Sequence, residues 1–197
     1  MDCPDPPWTA LVAHGSTQGD ATYGVAAQAE LTASATVVFR YVLRAEIYRV
    51  RIPPVQSAAR ADGLWSHTCF EAFIMAFGTA GYYEFNFAPS RQWALYRFDA
   101  YREGMSPAEL EPPPELCVRR FEDRLELDAS VHLNGLIGLR GAPRLLLGLT
   151  AVVEDENGRL SYWALKHPPG KPDFHSPDGF VLELGETYEI WTRPAPR

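Results

Sequence analysis

Two runs decide the fold: LWSHTCFEAFIMAFG, from Leu64 to Gly78, and GYYEFNFAPSRQWALYRFDAYREGM, from Gly81 to Met105. Both carry apolar residues with a period of two, the spacing at which successive side chains leave a strand on opposite faces. In CFEAFIM the alternation places Cys69, Glu71, Phe73 and Met75 on one face, with Phe70, Ala72 and Ile74 on the other. In YYEFNF it sets Tyr82, Glu84 and Asn86 against Tyr83, Phe85 and Phe87. Gly78-Thr79-Ala80-Gly81 predicts a hairpin between the two, and WALYRF follows the break at Pro89-Ser90. If the polar faces coincide, two carboxyls and an amide line one surface.

Working outward, the same period recurs. Val37, Phe39, Tyr41 and Leu43 form one face of a strand, with Arg40 and Arg44 on the other. AEIYRVRIP reads as the next strand, joined by a short Arg-Ala-Glu hairpin connection and stopped by Pro53-Pro54, which lack N–H groups for a ladder. LCVRRF, RLELDASV, RLLLGLTAVV and LSYWALK are further strands, with turns at Asp123 and at Glu154–Gly158. Met105 to Pro114 is mainly a surface loop with room for one helical turn, and HPPGKPDFHSPDGF (residues 167–180) is extended and irregular. About ten short strands and no long amphipathic helix predict an all-β fold, a jelly-roll-like sandwich of two antiparallel sheets. A length of 197 residues suits one core, hence a single domain over residues 1–197.

Composition narrows the function classes. A net charge of −7 argues against nucleic-acid partners and against adsorption to anionic membranes. Cys3, Cys69 and Cys117 are odd in number and widely spaced, so reduced thiols in a reducing compartment are expected. The N-terminal MDCPDPPWTALVAHGS has neither a basic region nor an apolar run of signal-peptide length, and no segment has transmembrane length. The cytoplasm is the expected address.

Strands that only fill a core seldom carry carboxyl groups, so Glu71 and Glu84 are candidate ligand contacts together with Asn86. The ordinary alternative for charged residues on a sheet is a solvated outer face. Trp65, between the Gly63 turn and polar Ser66-His67, reads as a cleft rim able to stack on a sugar, whereas Trp93 and Trp163 read as core and Tyr96 stays open. A glycosidase would need the two carboxyls at a set separation across a scissile bond. His67, His132, His167 and His175 lack metal-ligand spacing; His167, Asp173 and His175 share one proline-rich loop, where bracing is the alternative to a metal cup. There is no GxSxG elbow and no glycine-rich phosphate loop.

At these residues the chain resembles a known family. LWSHTCFEAFI, YYEFNFAPSRQWALYRFDAYREGM and YWALKHPPGKPDFHSPDGFVLEL resemble the bacterial DOMON-like proteins and, more distantly, the family-nine carbohydrate-binding modules. The shared order is Trp65, Phe70-Glu71, Tyr83-Glu84-Phe85, and Phe174-His175 through Phe180. The resemblance implies a β-sandwich with a cleft for a sugar, contacted by a tryptophan and a glutamate six positions on, as Trp65 and Glu71 stand here. The second stacking tryptophan of those modules has no counterpart near His175. In other DOMON branches the resemblance implies haem, for which Met75, Met105, Lys166 and His175 would be the axial candidates.

The expectation is therefore a non-catalytic module that binds a small ligand, a carbohydrate first of all. Its contacts are Trp65, Glu71, Glu84 and Asn86, with Arg91 and His175 as further ones, and no metal or cofactor is required. The alternatives are a haem electron-transfer module, a glycoside hydrolase, and a module whose sheet edge binds another protein.

Overall fold

Period-two alternation becomes two stacked antiparallel sheets in the computed structural model, which describes residues 7–17, 23–32 and 35–185. The strands are β1 (Thr9–Ala10), β2 (Val12–Ala13), β3 (Gly24–Leu31), β4 (Thr36–Arg44), β5 (Cys69–Ala76), β6 (Tyr82–Phe87) and β7 (Trp93–Phe98). They continue with β8 (Ser106–Pro107), β9 (Glu115–Arg120), β10 (Arg124–His132), β11 (Arg144–Glu154), β12 (Leu160–Ala164) and β13 (Leu182–Gly185). One sheet has the order β1-β3-β4-β10-β9; the other runs β2-β12-β11-β5-β6-β7-β8, with β13 also on β11.

The facing sides make the main core. Val37, Phe39, Tyr41 and Leu43 of β4 and Leu125, Leu127 and Val131 of β10 pack against Phe70 and Ile74 of β5, Phe85 and Phe87 of β6, and Leu145, Leu147 and Leu149 of β11. Each such side chain, removed from water, contributes roughly 1.5–3 kcal/mol. The Tyr41 hydroxyl donates to the Glu71 carbonyl at 2.7 Å, a polar link between the sheets inside that core.

β5 and β6 are buried along both faces. Behind the main core, on the outer side of the larger sheet, lies a second apolar cluster of Phe73, Met75, Tyr82, Ala94, Tyr96, Phe98 and Phe180. Phe180 belongs to the irregular segment 165–180, which crosses this face as a strap and stacks on Phe73 with ring centroids 5.7 Å apart. A face that would otherwise meet water is thereby half closed.

AEIYRVRIP is not a strand. It begins with a 3-10 turn, Ile47–Arg49, and then makes a single bridge from Val50 to Asp155. Both edges of β4 are already taken, by β3 and β10, so the expected hairpin has no edge to join. The strand that does pair there, β3, reads GVAAQAEL, and its alanines conceal it from any search for β-branched or aromatic residues. Residues 105–114 hold no helical turn; Ser106 and Pro107 pair with β7. Cys69 is buried and Cys117 exposed, both free, while Cys3 lies outside the described residues. Among the described residues no helix is long and apolar enough to cross a membrane.

Candidate functional site: a cleft floored by two carboxyls

Register brings the two carboxyls together. Glu71 pairs with Asn86 and Phe73 with Glu84, so Glu71 and Glu84 are diagonal neighbours on the outer face of the larger sheet. Both are enclosed, at 3% and 6% exposure. They form the floor of a cleft of about 720 Å³, a size usual for small-molecule sites. Its walls come from Trp65, Tyr96, Phe98, Arg102, Met105 and Tyr162, and from Lys171, Phe174 and His175 of the strap.

Gly63 adopts φ 74°, the left-handed region that favours glycine, and so turns the chain into the 3-10 turn Leu64–Ser66. Ser66 Oγ donates back to the Gly63 carbonyl at 2.6 Å. The turn presents the Trp65 ring at the rim, 42% exposed and edge-on to Tyr96 at 5.8 Å. Tyr96 in turn donates to Asp62 Oδ1 at 2.6 Å, which fixes the ring that braces Trp65.

The floor is asymmetric. Asn86 Nδ2 donates to Glu84 Oε1 at 2.8 Å, so Asn86, fully buried and not among the cleft-lining residues, acts as a brace. Glu71 Oε1 is buried with no hydrogen-bond partner, and so is the hydroxyl oxygen of Thr150, which stands opposite Glu71 in the β5–β11 register. Burial, then the Glu84 charge, pushes the Glu71 carboxyl well above the usual carboxylate range. Burial raises Glu84 as well, against the Asn86 hydrogen bond and the Arg102 charge.

On the strap side, the Arg102 backbone N–H donates to the Tyr82 hydroxyl at 3.2 Å, and that hydroxyl lies 2.9 Å from His175 Nδ1. The other ring nitrogen, Nε2, faces Glu84 Oε2 at 3.8 Å. Burial and the nearby Arg102 charge push His175 down to about 4, so the ring is neutral at neutral pH. Asp173 latches the strap: it accepts from Arg102 Nη2 at 2.7 Å, from the Tyr101 hydroxyl, and from the His175 backbone N–H at 3.1 Å. Burial works against the Asp173 carboxylate, but the Tyr101 and Arg102 hydrogen bonds hold it below its ordinary value.

Of the sequence candidates, Trp65, Glu71, Glu84 and His175 line one cleft. Arg91 does not: it sits exposed in the β6–β7 turn with φ 72°, its N–H on the Ala88 carbonyl. Trp93 and Trp163 belong to the main core, and Tyr96 to the cleft. Arg102 and Lys171 escape sequence reasoning because loops bring them in, and Tyr162, on β12, escapes it too. Only Tyr162 carries a usable signal, since alternation with inward Trp163 turns it outward.

The other histidines are structural. His67 Nδ1 lies 2.7 Å from Glu154, His132 meets Thr36, and His167 Nε2 meets the Val12 carbonyl. Among the described residues no three His, Cys, Asp or Glu side chains are grouped to hold a metal. Of the axial candidates for haem, His175 and Met105 line the cleft, whereas Lys166 is exposed outside the lining and Met75 is packed in the outer apolar cluster.

No protein-family model and no characterised protein matches the sequence. The fold is shared with solved structures. A Bacteroides uniformis protein provisionally described as carbohydrate-binding matches with TM-score 0.65 and 13% identity, over 91% of this chain and 85% of that one. A family-nine carbohydrate-binding module from Caldicellulosiruptor kristjanssonii, solved with cellotriose, matches with TM-score 0.53 and 13% identity, over 96% of this chain and 88% of that one. The chain is thus a β-sandwich whose structural neighbours are carbohydrate-binding proteins.

Proposed function

We propose that the cleft on the outer face of the larger sheet binds a carbohydrate without converting it. The observation that carries this reading is the exposed Trp65 ring standing over a floor of buried carboxyls, one of which has an oxygen with no partner. A pyranose has an apolar face suited to an aromatic ring and a rim of hydroxyls that both donate and accept. Stacked on Trp65, it would turn those hydroxyls toward Glu71 and Glu84. The neighbouring folds named above support the assignment, and the DOMON-like motifs belong to the same proposal.

The test is calorimetric titration with a panel of mono- and oligosaccharides. Trp65→Ala should lower the affinity for any sugar that binds by roughly tenfold or more, while the melting temperature stays close to that of the parent, because the ring is largely outside the core. A panel without binding, or full affinity in Trp65→Ala, would overturn the reading.

A further inference from the structure

The floor of the cleft is over-supplied with acceptors. Glu71 Oε1 is buried without a partner, and Glu84 Oε2 meets only the long 3.8 Å approach of His175. No protein cation balances Glu71: among the described residues no Lys, Arg or His forms an ion pair with it. Arg102, whose charge acts on Glu84, is committed to Asp173 at 2.7 Å, and Lys171, which also lines the cleft, is exposed. His175 is neutral and keeps one ring nitrogen on Tyr82. Without a cation in the cleft, burial and the Glu84 charge favour the protonated Glu71, and a positive group entering there would stabilise the ionised pair instead.

A neutral hydroxyl has one proton to give. It can satisfy one acceptor and leaves Glu71 holding its proton. An ammonium group has three donors and a full charge, so it can partner several floor oxygens and balance the second carboxylate as Glu71 releases its proton to water. The walls suit such a group, because Trp65, Tyr96, Phe98 and Phe174 present aromatic rings, whose faces attract cations.

Resting on the carbohydrate reading above, we infer that the natural ligand is an amino sugar with a free ammonium group, seated against Glu71 and Glu84. N-acetylated sugars lack the charge and belong with the neutral ones.

Titration calorimetry near neutral pH with matched pairs tests this: glucosamine against glucose and N-acetylglucosamine, and galactosamine against galactose. The amine form of at least one pair should bind roughly tenfold or more tightly than its neutral partners, the gain of one charge-assisted contact. Glu71→Gln should erase the preference, so that amine and hydroxyl forms bind alike. Should the variant fail to fold, the wild-type comparison decides alone. Equal affinity for amine and neutral sugars, or tighter binding of the neutral ones, overturns the inference and leaves the carbohydrate reading standing. Failure of every sugar to bind overturns both.

Discussion

Glu71 is flanked along its strand by Phe70 and Ala72, both fully enclosed, and its carboxyl is nearly as deep. Burial and Glu84 favour the protonated form, so the folded state holds this proton more tightly than the unfolded chain does. The sign follows from linkage. A carboxyl raised on folding contributes stability that is complete below its unfolded value near 4.5 and is lost as pH rises through the folded value. His175, lowered from 6.5 to about 4, acts in the opposite sense and withdraws stability as pH falls across that interval. Urea melts of the ligand-free protein over a pH series should therefore show Glu71→Gln gaining on wild type as pH rises. The gain should be about 1.4 kcal/mol per pH unit between the unfolded and folded values. Parallel curves would place Glu71 in an ordinary solvated setting. The face Glu71 occupies was legible from alternation with Phe70 and Ala72. Its burial was not, because the cleft it floors is walled in part by Phe174 and His175, far along the chain in a segment without periodicity.

The strap has its own anchor point among the elements. Gly148 lies in β11 opposite Phe73, and a Cβ there would stand 2.7 Å from Phe180 Cδ1 and 3.1 Å from Cε1. The missing side chain is what lets the Phe180 ring lie flat on the sheet. Gly148→Ala should lift that ring, lowering stability by about 1–3 kcal/mol in a thermal or chemical melt. Sugar affinity should weaken alongside, because Phe174 and His175 ride on the same segment. Wild-type behaviour in both measurements would mean the strap is held by the Asp173 latch alone. Element by element, the hairpin of β5 and β6 was readable from Gly78 and Gly81 and from the aromatic alternation either side. β3 was hidden by its alanines, and Ile47-Tyr48-Arg49 imitated a strand because its one buried residue, Ile47, sits in a short turn rather than an alternating run.

Across the whole molecule, the two sheets share more than apolar contact. The Tyr41 hydroxyl spans the core to the Glu71 carbonyl, directly beneath the floor of the cleft. Tyr41→Phe should cost about 1–2 kcal/mol, the usual scale for a buried hydrogen bond whose other partner stays in place. An unchanged midpoint of denaturation would show that the sheets stay in register without it. The sandwich architecture was legible from many short strands and sharp turns, since these recur locally. Strand order was not: β5 pairs with β11 and β4 with β10, contacts no local pattern encodes. Likeness to the family-nine fold at 13% identity has the same origin, because a sandwich needs the alternation of inward and outward residues more than their identities.

The unpartnered oxygen of Glu71 also bears on how this chain would respond to selection. An apolar residue of similar volume at that position would remove an uncompensated polar atom and the repulsion with Glu84, and would tend to raise heat resistance. A library screened only for survival of heating would therefore be expected to enrich such replacements early, and each would strip the cleft of its floor. Thermal resistance and recognition pull in opposite directions at this one codon, so a screen on this scaffold has to score both, or it will record the loss of the site as an improvement.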